Sequence, residues 1–162
     1  DESINSLNLS KVYILTTGSS ASASELLISG LMPYVDVNQI GTTTVGKFQG
    51  STTLYDSNNF RRNGDNLNLN HTYALQPLIL KSVNANGFTD YVDGLTPTIE
   101  VNEDYSNLGE LGDPNESLLK AAIDDILGNG RPSGRTQPLE IKNIGESKMY
   151  NATYQRMYVE TK

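Results

Sequence analysis

Residues 11–32 have the sequence KVYILTTGSSASASELLISGLM, which is the most informative part of the chain. Its first six residues, Lys11 to Thr16, are rich in the β-branched and aromatic side chains typical of a strand. Small residues follow, and after them apolar residues recur at helical spacing until Pro33, which ends the predicted helix. The stretch therefore predicts a strand, a turn of small residues and a helix.

The rest of the chain predicts more strands and one more helix. The predicted strands are Val35–Ile40, Lys47–Leu54 and Thr72–Val83. The Asn-rich segment 56–70 between the last two is predicted as an exposed hairpin or loop. The second helix has a start signal in which Asp113 caps, Pro114 takes the first position and Glu116 completes a capping box, and Gly128-Asn129-Gly130 stops it. Strands that alternate with two helices indicate an α/β or α+β protein.

Composition excludes several classes of function. The 162 residues suit a single domain, and 12 Lys+Arg against 19 Asp+Glu give a net charge of −7, which argues against a nucleic-acid partner. No apolar run approaches the roughly 20 residues of a membrane span. The chain has no Cys and one His, His71, which is predicted as a surface residue of a loop or strand end. We therefore expect no zinc-thiolate site and no His-based metal cluster.

The small-residue turn leaves two interpretations of Ser22 open. A serine at the start of a helix can act as a nucleophile, because the backbone N–H groups and the helix dipole favour developing negative charge there. The segment Ser22-Ala23-Ser24-Glu25 also fits the Ser-x-x-Glu pattern of an ordinary capping box. The local sequence alone favours capping.

A nucleophilic serine needs a base, and Lys47 is the candidate. The single His lies in a polar, Asn-rich stretch, whereas a lysine can serve where burial disfavours its charged form. A competing interpretation is a phosphate-binding loop, since residues 41–47 match its first seven positions. That match fails at Phe48, where Ser or Thr is needed, and because a strand and not a helix is predicted to follow.

These residues resemble the carboxy-terminal processing proteases, also called tail-specific proteases. Ser20-Ala21-Ser22-Ala23-Ser24-Glu25 is similar to the active-site signature of that family, and Gly46-Lys47 is similar to the pair that supplies its base. The likeness continues through Gly87-Phe88-Thr89-Asp90-Tyr91 and the Gly112-Asp113-Pro114 helix start. It covers residues 10–127.

The resemblance implies a serine endopeptidase with a Ser-Lys dyad and no cofactor. Ser22 would be the nucleophile, Lys47 the base, and the Ala23 backbone N–H an oxyanion donor. Family members often carry Gln or Glu four residues after the lysine to orient it; this chain has Ser51 there and Gln49 nearby, so either is a candidate. Both would lie on the Lys47 face of an extended strand. The implied fold is α/β, with the mixed β-sheet and helices of crotonase- and ClpP-like proteins.

The resemblance also implies how the chain relates to a larger enzyme. Residues 1–130 would be the C-terminal part of an incomplete catalytic domain, and residues 131–162 a C-terminal tail or terminal strand. A PDZ domain and the first half of the catalytic domain would be its partners, the latter supplying a second oxyanion donor. The substrate would be a polypeptide cut near or from its C-terminus, in the periplasm or cell envelope of a bacterium. A non-catalytic binding module of the same fold and a structural or assembly fragment are the alternatives.

Overall fold

A computed structural model describes residues 7–130 together with residues 144, 145 and 150. Its strands alternate with two helices, which confirms the α/β class. In chain order the elements are β1 Lys11–Thr16, α1 Ala23–Leu31, β2 Asp36–Gly41, β3 Gln49–Ser51, β4 Leu54–Tyr55, β5 Ala74–Leu75, β6 Leu78–Lys81, β7 Ile99–Glu100 and α2 Ser117–Leu127. The tail or terminal strand predicted for residues 131–162 lies outside the described residues, apart from the three named above.

The central sheet has three parallel strands in the order β1-β2-β7. β1 has the predicted bounds and pairs with β2 from Lys11 opposite Asp36 to Thr16 opposite Gly41. Parallel neighbours need a crossover connection, and α1 lies in that connection. The carboxyl end of β1 therefore leads directly into the turn that carries Ser22.

The remaining strands form two small antiparallel sheets, β3 with β6 and β4 with β5. The prediction of one strand over 47–54 is wrong, because Lys47 precedes β3 and the β3–β6 register shifts between Gly50 and Ser51. The predicted strand 72–83 is interrupted between β5 and β6, where Pro77 has no N–H to donate. The segment predicted as a hairpin or loop is a loop, since residues 56–70 lie in the connection between the antiparallel strands β4 and β5.

Two apolar clusters pack against the central sheet. One consists of Ile28, Phe48, Tyr91 and Leu95, with Ile14 and Val37 packed against it. The other consists of Ile40, Ile99, Ala121 and Ala122, with Tyr13 and Val101 packed against it. Because the first cluster joins α1 to the residue after Lys47, core packing already brings the two predicted catalytic segments together.

The start of α2 differs from the prediction. The helix begins at Ser117, and its cap is Glu116, whose carboxylate accepts hydrogen bonds from the N–H groups of Leu118 (2.9 Å) and Leu119 (2.8 Å). Asp113 instead accepts a hydrogen bond from the Asn115 N–H at 2.9 Å, within the preceding turn. The two carboxylate oxygens of Glu116 satisfy two N–H groups of the first turn, so the helix starts there. Its predicted end at Gly128 is confirmed by a left-handed φ of 71°.

Candidate active site

Ser22 lies on a strained turn between β1 and α1. Its backbone has φ 57° and ψ −109°, a conformation that few residues other than glycine adopt. Such a conformation costs about 1–3 kcal/mol and occurs preferentially at functional sites. The turn is tied by the Ser20 N–H, which donates to the Thr17 oxygen at 2.9 Å, and by the Thr17 N–H, which donates to the Ser20 hydroxyl at 3.0 Å. The exposed Ser22 side chain therefore stands on a turn with fixed geometry.

Glu25 holds this turn from inside the protein. Its side chain is 0% exposed, and its carboxylate accepts a hydrogen bond from the Ser22 N–H at 2.8 Å, which is the glutamate half of the predicted capping box. The same carboxylate accepts hydrogen bonds from the lysine loop, which we define as residues 42–48. The donors there are the Thr44 hydroxyl at 2.6 Å, the Lys47 N–H at 2.8 Å and the Gly46 N–H.

These contacts determine the charge on Glu25. Burial raises the pKa of a carboxyl group, but the hydrogen bonds from Thr44, Gly46, Ser22 and Lys47 stabilise the ionised form. The hydrogen bonds outweigh burial, and the pKa of Glu25 lies below its ordinary value of 4.5. A buried negative charge therefore sits between the serine and the lysine segments at neutral pH.

The structure brings the backbones of Ser22 and Lys47 together. Both N–H groups donate to the same oxygen, Oε2 of Glu25, so the two nitrogens are within about 6 Å of each other. A further bond joins the segments, because the Val45 N–H donates to the Ser20 oxygen at 2.9 Å. A lysine base was expected to be buried, but the side chain of Lys47 is exposed among the described residues. The neighbouring Phe48 is the buried side chain.

The other predicted site residues lie on either side of this pair. Ala23 is the first residue of α1, so its N–H has no acceptor within the helix, and its role as an oxyanion donor stays a prediction. Gln49 and Ser51 are exposed at the two ends of β3. Both are exposed, as Lys47 is, whereas Phe48 is buried and Gly50 is half-buried. Because β3 starts only at Gln49, the expectation that Gln49 and Ser51 share a strand face with Lys47 stays a prediction. Their orienting role stays a prediction.

Residues considered for other chemistry lie elsewhere. β3 and not a helix follows the lysine loop, which agrees with rejecting a phosphate-binding loop. His71 stacks on Tyr73 and contacts the Asp56 carboxylate at 3.1 Å in the segment before β5. In residues 7–130, 144, 145 and 150, no three His, Asp or Glu side chains are grouped to hold a metal ion. No helix in that part of the chain is long and apolar enough to cross a membrane.

Sequence reasoning missed the wider role of Glu25 and any role for Thr44. A weak signal was present, because Glu25 stands three and four residues before Ile28 and Ser29, both of which are buried. A glutamate on the buried face of a helix needs several donors to compensate for its lost hydration. No spacing rule identifies those donors, since they lie on a loop beyond the next strand.

Comparison with known proteins bears on the fold and, coarsely, on the family of the chain. No protein-family model matches the chain, and no curated protein matches it. Among solved structures it is similar to "Putative S41 protease" from Bacteroides fragilis NCTC 9343, with 33% sequence identity and a TM-score of 0.60. The match covers 76% of this chain and 29% of that chain, so this chain spans less than a third of the length of the protein it matches.

The fold and the site thus define an α/β protein with a serine turn and an adjacent lysine loop. Its likeness to a solved structure supports, at a coarse level, a relation to the S41 proteases, which are the C-terminal processing protease family.

Proposed function

We propose that this chain carries the catalytic pair of a serine endopeptidase, with Ser22 as nucleophile and Lys47 as base. One observation carries the proposal: an exposed serine on a strained turn at a helix start has its backbone tied, through one buried carboxylate, to the backbone of a lysine. The likeness to an S41 protease supports a peptidase. We further propose the crotonase- and ClpP-like sheet for the complete catalytic domain.

The reaction is acyl transfer. The neutral amine of Lys47 takes the hydroxyl proton of Ser22 while Oγ attacks the peptide carbonyl carbon. The resulting oxyanion accepts a hydrogen bond from the Ala23 N–H, a contact worth about 3 kcal/mol in comparable sites. The C–N bond then breaks, and the leaving amine receives the proton from Lys47. Water hydrolyses the acyl-enzyme with Lys47 again as base, which restores Ser22.

The exposure of Lys47 sets a condition on this mechanism. The reaction uses the neutral amine, and removal of solvent favours the neutral form, so the reaction needs a step that excludes water from the amine. A bound polypeptide would cover the amine and exclude that water. Gln49 or Ser51 would then orient it through a hydrogen bond. The proposal has three further parts. The enzyme prefers C-terminal cleavage, the preceding half of the catalytic domain supplies a second oxyanion donor, and the protein is located in the periplasm or cell envelope.

A serine-reactive fluorophosphonate probe tests the pair in the full-length protein. The probe should label Ser22 covalently, and both Ser22→Ala and Lys47→Ala should abolish labelling and peptide cleavage. Lys81→Ala is a matched control, because Lys81 is also exposed but forms an ion pair with Asp90 at 2.9 Å; it should keep full activity. Full activity of either dyad variant would refute the proposal, and absence of labelling in the wild type would favour the binding module.

A further inference from the structure

We propose that Glu25 is a positioning residue for Ser22 and Lys47: its buried carboxylate fixes both backbones at once and so determines where nucleophile and base meet. The inference rests on the proposed function, because it gives Glu25 a part in that same reaction. A capping role alone would make Glu25 a stabiliser of α1 with no bearing on the chemistry.

The four donors are shared equally between the two oxygens of the Glu25 carboxylate. Oε2 accepts hydrogen bonds from the N–H groups of Ser22 and Lys47, each at 2.8 Å. Oε1 accepts hydrogen bonds from the Thr44 hydroxyl at 2.6 Å and from the Gly46 N–H. A carboxylate offers about four lone-pair sites, so these donors occupy its capacity. Only the bond to Ser22 belongs to a capping box; the other three hold the lysine loop.

Glu116 illustrates what a glutamate does when it only caps a helix. Its carboxylate accepts hydrogen bonds from Leu118 and Leu119 in the first turn of its own helix and from the neighbouring Ser117 hydroxyl. Glu25 reaches donors at sequence separations of 19, 21 and 22 residues, and its side chain is fully buried. The additional contacts of Glu25 therefore join the turn that carries Ser22 to the lysine loop.

The lysine loop is also held on its opposite side, so the position of the carboxylate is transmitted to Lys47. Gly46 has a φ of +92°, and a Cβ there would collide with the backbone oxygens of Val92 and Tyr91. The Thr44 hydroxyl accepts a hydrogen bond from the Leu95 N–H at 2.8 Å while it donates to Glu25. A displacement of about 1 Å in such a site lowers rates by about 100-fold.

Glu25→Gln in the full-length protein tests the inference, with Glu116→Gln as matched control. Glutamine keeps the shape of the side chain, but in either amide orientation its NH₂ group faces an N–H donor of Ser22, Lys47 or Gly46. We expect the rate of fluorophosphonate labelling at Ser22 and the kcat for a peptide to fall about 10- to 100-fold, with KM changed less than about 3-fold. Glu116→Gln should label at the wild-type rate.

Thr44 gives a second series that does not depend on the folding of Glu25→Gln. Thr44→Val removes one donor to the carboxylate and should slow labelling by about 3- to 10-fold. Thr44→Ser keeps the hydroxyl and should restore the rate to within about 2-fold of wild type.

The outcomes separate this inference from the function on which it rests. If the wild type is labelled at Ser22 and Glu25→Gln or Thr44→Val is labelled equally fast, the positioning role is overturned and the protease proposal stands. An equal loss in Glu116→Gln also overturns it, since the effect would then follow from stability. If the wild type is not labelled at all, the proposed function fails and the inference fails with it.

Discussion

Replacing Ser22 by glycine and by alanine measures the strain stored at the proposed nucleophile. Both variants lose the hydroxyl and hence the activity, and they differ in the Cβ and in the backbone freedom of residue 22. Alanine keeps the strain of φ 57° and ψ −109°, whereas glycine adopts positive φ about as readily as negative φ. The difference in their free energies of unfolding therefore contains this strain together with the difference between glycine and alanine as helix caps.

The magnitude follows from two opposing terms. Relief of the strained backbone favours glycine by about 1–3 kcal/mol. The greater freedom of glycine in the unfolded chain disfavours it by about 0.5–1 kcal/mol. We expect Ser22→Gly to be more stable than Ser22→Ala by about 1 kcal/mol, which reverses the usual order of these residues.

Urea unfolding followed by circular dichroism provides the assay, since the chain has no Trp for fluorescence. Ser24 supplies the matched control, because it is an exposed serine inside α1. There Ser24→Gly should be less stable than Ser24→Ala by about 1 kcal/mol. If the glycine variant is the less stable one at both positions, the backbone at Ser22 is not strained and the argument fails.

Two further predictions concern stability away from the site. Burial raises the pKa of Glu116, but hydrogen bonds from Leu118 and Leu119 outweigh it and hold the pKa below 4.5; its contribution is therefore present above that value and lost as pH falls through the folded pKa. Glu116→Gln should cost about 1 kcal/mol at pH 7 and less at pH 3 in urea unfolding, and a pH-independent cost would contradict this. Ile40 is 0% exposed, so Ile40→Ala should cost about 3 kcal/mol, against about 0.5 kcal/mol for Ile126→Ala at 59% exposure; equal thermal shifts would contradict this.

The parts of the fold that the sequence predicted well depend on neighbours in the chain. β1 and α1 arise from a run of strand-forming residues followed by apolar residues at helical spacing, and both were predicted within a residue or two. The end of α2 was also predictable, because a glycine at that point adopts the left-handed conformation that stops a helix. Each of these features has a sequence signal made of residues close together in the chain.

The error at Lys47 arose where distant residues decide the local structure. Lys47 was predicted inside a strand, but its N–H is bonded to Glu25 and not to a neighbouring strand. The preceding residue, Gly46, has a positive φ and packs closely against the backbone of residues 91 and 92, where a Cβ would not fit. The long-range contacts that keep Lys47 out of the strand also assemble the candidate site, so the site and this error have one physical cause.

The strained serine also bears on the choice between a protease and a binding module of the same fold. A glycine at this position would avoid the strain of about 1–3 kcal/mol, and strain of this kind occurs both at active sites and at ligand clamps. A nucleophile gains from the serine, because its oxygen lies at the start of a helix where backbone N–H groups favour negative charge. The side chains of Ser22 and Lys47 are exposed, while Glu25, which holds their backbones, is fully buried. A fixed backbone with side chains open to a polypeptide is what acyl transfer requires, and this combination favours the protease.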